Sequence, residues 1–267
     1  SLDFVTLRIK DAVCDRFRAE RGRRPNVDTR TPEVRIAAFL DAHHVTVYLD
    51  TSGEPLYKRG YRSEQGEAPL KENLAAGVLA LAGLDAEEPL FDPMCGSGTF
   101  VIEAAMMALR IPPGAGRGFG FERLIAHDPT LWRAVRDAGT GAQEKLRALP
   151  VFGADVAGRE LRLAHENLKA AGLDRAVELR KADVLEVTAP APCGVMVVNP
   201  PYGVRIGEKK TMAEFYPRLG NALKNRFTGW RCHILSADPE LPRLIRLKAT
   251  KRTPLFNGPL ECRLYEY

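Results

Sequence analysis

The chain has 267 residues, 45% of them apolar and 27% charged, a composition that excludes disorder and low complexity and supports a large core without staples. No stretch is long and apolar enough to span a membrane, and the opening SLDFVTLRIKD lacks the apolar centre of a signal peptide. The net charge is +5, and residues 200–267 supply most of it, with 13 Lys/Arg against 6 Asp/Glu. That excess reads either as a solvated surface or as a basic face suited to a polyanion.

The chain opens at Ser1 without a Met, as a trimmed chain would. Residues 1–66 read as a small α+β region. Val5–Arg8 is strand-like, and Lys10–Arg21 fits a short helix. Val34–Leu40 and Val45–Asp50 alternate as paired strands around an Asp41–His44 turn. The basic loop RGRRPNVDTR between them is either solvated or an RNA-backbone contact. A polar connector, 51–68, leads to Pro69 and a helix in LKENLAAGVLALAG.

From Leu90 strands and helices alternate, the mark of an α/β fold with a mainly parallel sheet. Strands are expected at Pro89–Phe91, Val151–Gly153, Val177–Arg180, Val195–Val198 and Arg231–Leu235, with helices at Gly98–Leu109, Arg159–Ala171 and Met212–Arg226. Asn257-Gly258 joins Arg246–Phe256 to Leu260–Tyr267, a strong antiparallel hairpin signal. That makes seven strands. Residues 111–149 are an insertion, since a simple βαβ step needs only a short loop there.

Four places carry chemistry. Asp92-Pro93-Met94-Cys95-Gly96-Ser97-Gly98-Thr99 follows a strand and opens a helix. Gly96 and Gly98 allow a tight turn and a close backbone approach to a ligand. The turn lacks the Lys of a phosphate-binding P-loop and the glycine spacing of the dinucleotide fingerprint. An acid directly before it suits the ammonium group of S-adenosyl-L-methionine better than a pyrophosphate. Asp155, at the end of the second strand, suits ribose hydroxyls or caps the next helix. Asp183 stands where an adenine amine would lie, or caps a turn. Asn199-Pro200-Pro201-Tyr202 ends a buried strand, where open α/β sheets bind ligands. The Asn199 side-chain oxygen and the Pro200 carbonyl can both accept from one NH2 group, and Tyr202 offers a ring for stacking.

Cys14, Cys95, Cys193, Cys232 and Cys262 form no CxxC pair, which supports neither a metal site nor a disulfide framework and points to a reducing, cytoplasmic setting. Cys95 and Cys193 read as small apolar residues. The five histidines, His43, His44, His127, His165 and His233, show no metal-like spacing.

The turn at Asp92–Thr99 and the NPPY at Asn199–Tyr202 resemble class I, Rossmann-like amino-methyltransferases. LRIKDAVCDRFR, DTRTPEVRIAAFL and VTVYLDTSGEPLYKRGYR resemble the second half and exit of a THUMP domain. APLKENLAAGVLALAG, DPMCGSGTFVIEAA and the insertion ending in HDPTLW are similar to THUMP-linked RNA guanine-N2 methyltransferases, with the closest likeness to those acting on large-subunit ribosomal RNA. The resemblance implies a partial THUMP region at 1–66 and a methyltransferase domain at 67–267. It implies S-adenosyl-L-methionine as cofactor, held by Asp92–Thr99, Asp155, Asp183 and Asn199, with Asn199, Pro200 and Tyr202 as catalytic residues. RNA is the implied partner, with neither membrane nor metal. A tRNA guanine-N2 enzyme and a protein-glutamine methyltransferase, which shares NPPY, are the alternatives. Two departures stand out: the front half of the THUMP domain does not align, and Asp92 and Asp155 are 63 residues apart because of the insertion.

Overall fold

The computed structural model describes residues 1–62, 70–201 and 206–267, with the backbone alone at 206–211. The chain forms two compact units, and they do not follow chain order. Residues 1–55 and 118–132 make the first, and residues 56–117 and 133–267 make the second.

In the first unit, Leu2–Arg21 is one helix, α1, rather than a strand followed by a short helix. Ser1 caps it by accepting the Phe4 N–H at 3.3 Å, and left-handed Gly22 closes it. No breaker lies between these caps, so four alternating residues at Val5–Arg8 could not outweigh helix continuity. Strands β1 (Arg35–Leu40) and β2 (Val45–Asp50) pair antiparallel, from Arg35 opposite Asp50 to Leu40 opposite Val45. Asp41 Oδ1 sets the turn by accepting the N–H groups of His43 and His44. Ile36, Phe39, Val47 and Tyr48 of this sheet all remain exposed.

Part of the insertion completes this unit. The Phe121 N–H donates to the Thr51 carbonyl at 3.0 Å. A Cβ at Gly120 would stand 3.0 Å from the Asp50 carbonyl oxygen, so a side chain there would push the two segments a few tenths of an ångström apart. The rings of Phe119, Phe121 and Trp132 then cluster at centroid distances of 4.9–5.5 Å. The insertion holds a single α-helix, α4, at Pro129–Gly141, which follows α2 (Glu72–Leu81) and α3 (Thr99–Ala108) in the chain.

The second unit carries a seven-stranded sheet of β3 (Leu90–Asp92), β4 (Val151–Asp155), β5 (Val177–Lys181), β6 (Gly194–Val198), β7 (Trp230–Ser236), β8 (Lys251–Asn257) and β9 (Leu260–Glu266). Their order is β5-β4-β3-β6-β7-β9-β8. The first five neighbours run parallel, and β9 pairs antiparallel with both β7 and β8. The expected class I architecture is present, with the Asn257-Gly258 hairpin at its edge. The first strand of the hairpin starts later than the sequence implied, and the second starts at Leu260 as expected. A short helix, α7 (Leu241–Leu244), precedes them, and β8 begins at Lys251 rather than Arg246.

Strand β6 is buried along its whole length, as parallel strands covered on both faces are. Val195 and Val197 face a core built with Leu79 of α2, Ile102 of α3 and Leu168 of α5 (Gly158–Ala170). Met196 and Val198 face the other core, with Tyr216, Leu219 and Leu223 of α6 (Ile206–Arg226). Chain order reverses between β3 and β6. In an open α/β sheet that reversal leaves a crevice at the carboxyl ends of the strands.

Candidate active site

The crevice collects the residues singled out in the sequence. Asp92 ends β3, Asp155 ends β4 beside it, and Asn199 follows β6 on the other side. Phe91 pairs with Met196 in register, so Asn199 lies two residues beyond the level of Asp92, about 7 Å along the strand direction. Asp183 follows β5, where the Ala182 N–H donates to the Asp155 carbonyl. The sheet thus brings these four polar side chains to one end of four successive strands.

The turn Asp92–Thr99 is held from several sides. Asp92 Oδ1 accepts the Met94 N–H at 3.1 Å, and the Cys95 N–H donates to the Ala154 carbonyl at 2.9 Å. Asp155 Oδ2 accepts the Gly96 N–H at 2.9 Å, and its Oδ1 accepts the Ala157 N–H. Asp155 therefore shapes the turn and the start of α5 while keeping lone pairs on both oxygens. Gly96 and Gly98 both have positive φ, at 52° and 87°. A Cβ at Gly96 would meet open space, but one at Gly98 would stand 3.2 Å from Ala164 Cβ. Gly96 leaves room for a ligand, whereas Gly98 lets α5 pack close.

Asp92 is only 2% exposed. Burial, reinforced by the Asp155 carboxylate, holds its carboxyl well above the usual range, and the Met94 N–H opposes this only in part. No lysine or arginine among the described residues pairs with it. Such an acid is suited to a ligand that brings a positive charge. Pro93 is buried, and Met94 and Ser97 are half-buried. Burial pushes the Cys95 thiol up, so it stays a neutral, compact residue, as its surroundings in sequence suggested.

Asp183 Oδ1 accepts the Leu185 N–H at 2.9 Å, and its carbonyl accepts from Glu186 and Val187. This is the capped turn, which leaves the second carboxylate oxygen for a ligand. Asn199 is half-buried, Pro200 is buried and Pro201 is exposed. Tyr202 lies outside the described residues.

Three contributors are missing from the sequence reading. Asn167 on α5, buried, donates from Nδ2 to the Ser97 carbonyl at 3.0 Å. Its signal was an amide on the same helix face as Leu161, Ala164 and Leu168. Arg62 donates to Thr99 Oγ1 at 2.9 Å, and Arg59 forks onto Glu103 at 3.1 and 3.2 Å. Both arginines belong to the connector 51–68, which the sequence marked only as polar.

Residues 59–266 match the protein family described as RMKL-like, methyltransferase domain. The chain belongs to this family. Residues 1–50 match the THUMP domain. Among curated relatives, the ribosomal RNA large subunit methyltransferases K/L of Aeromonas hydrophila and Aeromonas salmonicida are 42% and 43% identical over 99% of this chain. The chain spans about two-fifths of their length, 40% and 39%. Among solved structures, SMU.472, described as a methyltransferase and complexed with SAH, is 33% identical with a TM-score of 0.85. A protein of Clostridium difficile 630 described as a methylase is 30% identical with a TM-score of 0.87. Each alignment covers 97% of this chain and 68% of the solved one.

Proposed function

We propose that the chain transfers a methyl group from S-adenosyl-L-methionine to the exocyclic N2 amine of a guanosine in large-subunit ribosomal RNA. The observation that carries this reading is the meeting of a buried acid, a glycine turn and Asn199-Pro200 across one crevice. A family of RNA-modifying relatives supports it. The cofactor fits the residues present: the buried Asp92 has no positive partner among the described residues, and the backbone at Gly96 borders open space.

Asp92 and the Gly96 turn would hold the methionine part of the cofactor, with its ammonium group against the carboxylate. Asp155 would accept from the ribose hydroxyls, and Asp183 from the adenine amine. The bound cofactor supplies a methyl group activated on a sulfonium centre. Guanine N2 is a weak nucleophile, because its lone pair is delocalised into the ring. Asn199 and the Pro200 carbonyl would accept its two protons, favour pyramidal nitrogen and aim the lone pair. Positioning of this kind can supply roughly 7–11 kcal/mol of a barrier. Tyr202 would stack on the base, for about 1–3 kcal/mol, offsetting the cost of extracting it.

In this reading residues 1–66 form part of a THUMP RNA-binding region, the basic residues of 200–267 face RNA, and the protein works in the cytoplasm where ribosomal RNA is processed. The test is transfer of labelled methyl groups to unmodified total RNA, with mapping of the product. Label in N2-methylguanosine of the large-subunit RNA supports the proposal. Label confined to tRNA, or to protein glutamine, overturns it.

A further inference from the structure

We infer that Arg62 is a positioning residue that fixes the cofactor turn through Thr99. The inference rests on the assignment of residues 92–99 to the cofactor.

Two arginines three residues apart in the connector grip two residues four apart on α3. Arg59 takes Glu103, and Arg62 takes Thr99, so the connector runs antiparallel to the first turn of the helix. The Arg62 guanidinium is buried. Its Nη2 donates to Thr99 Oγ1 at 2.9 Å and to the Leu70 carbonyl at 3.1 Å, and its Nε stands 3.2 Å from Glu72 Oε1. One planar group thus joins the connector, the segment leading into α2, α2 itself and α3.

Thr99 is the first residue of α3 and follows Gly98 directly. Glycine backbone on either side of Ser97 has little stiffness of its own. Its shape must be imposed from outside. Asp155 does so at Gly96, Asn167 at Ser97 and Arg62 at Thr99. A buried arginine costs several kcal/mol to desolvate, and an apolar contact would hold a helix end at lower cost. The arrangement is intelligible if the Thr99 hydroxyl, the Leu70 carbonyl and the Glu72 carboxylate must be held in fixed relation. A lysine cannot do this, because its ammonium is a single point on a flexible stem.

The experiment measures binding of S-adenosylhomocysteine by calorimetry to the whole chain and to the variants Thr99→Val, Thr99→Ser, Arg62→Lys and Arg59→Lys. Thr99→Val preserves shape and removes the acceptor. It should weaken binding about ten- to a hundredfold, as expected for a lost hydrogen bond to a charged group. Arg62→Lys should do the same. Thr99→Ser should bind within about twofold of the parent chain. Arg59→Lys breaks the pair one helical turn away, so it should lower the melting temperature yet leave affinity within about twofold. In transfer assays Thr99→Val and Arg62→Lys should raise KM for the cofactor and leave kcat nearly unchanged.

Normal affinity in both Thr99→Val and Arg62→Lys overturns the inference, as does an equal loss in Arg59→Lys. Asp155→Ala separates this failure from that of the site itself. If Asp155→Ala binds weakly while Thr99→Val binds normally, the Arg62 clamp alone is wrong. If Asp155→Ala also binds normally, the turn is not the cofactor site.

Discussion

The buried side chain of Asn167 donates to the carbonyl of Ser97 at 3.0 Å, tying the last turn of α5 to the glycine turn. An asparagine on the apolar face of a helix costs stability unless its amide is bonded, and here the bond falls on the segment that borders the crevice. Asn167→Ala should therefore destabilise the protein by about 1–3 kcal/mol, the cost of leaving a buried acceptor unpaired. It should also weaken cofactor binding. Thermal denaturation with and without S-adenosylhomocysteine checks both, and an unchanged ligand-induced shift in Tm would show that Asn167 supports the helix alone.

Asn199→Ala should nearly abolish methyl transfer and keep cofactor affinity within about tenfold. Asn199 would touch mainly the reacting amine, so its contacts strengthen toward the transition state. Complete loss of cofactor binding in calorimetry would assign it a structural role.

Asp92 gives a pH signature. Its native carboxyl is raised above the ordinary value by burial and by Asp155. Between the unfolded and the native pKa, the native state holds a proton that the unfolded state has released. The stability of the ligand-free protein from this group is thus greatest below the unfolded value and falls as pH rises through that window. An ammonium-bearing ligand needs the carboxylate, so its affinity should move the other way and weaken as pH drops toward the native pKa. Calorimetric titration with S-adenosylhomocysteine at several pH values reads this directly. Asp92→Asn should bind weakly at neutral pH and lose the dependence; a variant that keeps the parental slope would move the titrating group elsewhere.

Gly98→Ala should be destabilising by about 1–3 kcal/mol. The residue has φ 87°, and a Cβ there would press on Ala164 at 3.2 Å. Gly96→Ala meets no such neighbour, so its cost should be limited to backbone strain, with the larger effect on ligand affinity. Denaturant unfolding of the two variants, set beside their binding constants, distinguishes the two glycines.

Much of the catalytic unit was legible because its signals are local. Apolar strands such as Val195–Val198 end in conspicuous polar residues, and each turn or cap lies within a few positions of the element it serves. The four residues of the crevice could be placed because parallel strands put their carboxyl ends together. The clamps were not legible for the opposite reason. Arg62 and Thr99 are 37 positions apart, and Asn167 and Ser97 are 70 apart. A charged residue in a glycine-containing connector looks the same in sequence whether it meets water or a buried glutamate. The first helix was misread because four alternating residues were weighed without the capping serine before them. The docking of 118–132 with the N-terminal residues depends on Gly120 meeting Asp50 and Gly53, a contact no periodicity reveals.

The uncovered sheet of β1 and β2 has a consequence for handling the protein. With Ile36, Phe39, Val47 and Tyr48 exposed, this two-stranded ribbon presents apolar faces together with backbone edges that no other strand pairs among the described residues. Ribbons of this kind are marginal alone and act as templates for further strands. At high protein concentration this ribbon is the expected seed of self-association. Charged replacements at Phe39 and Val47 should raise solubility while leaving the crevice of the seven-stranded sheet untouched.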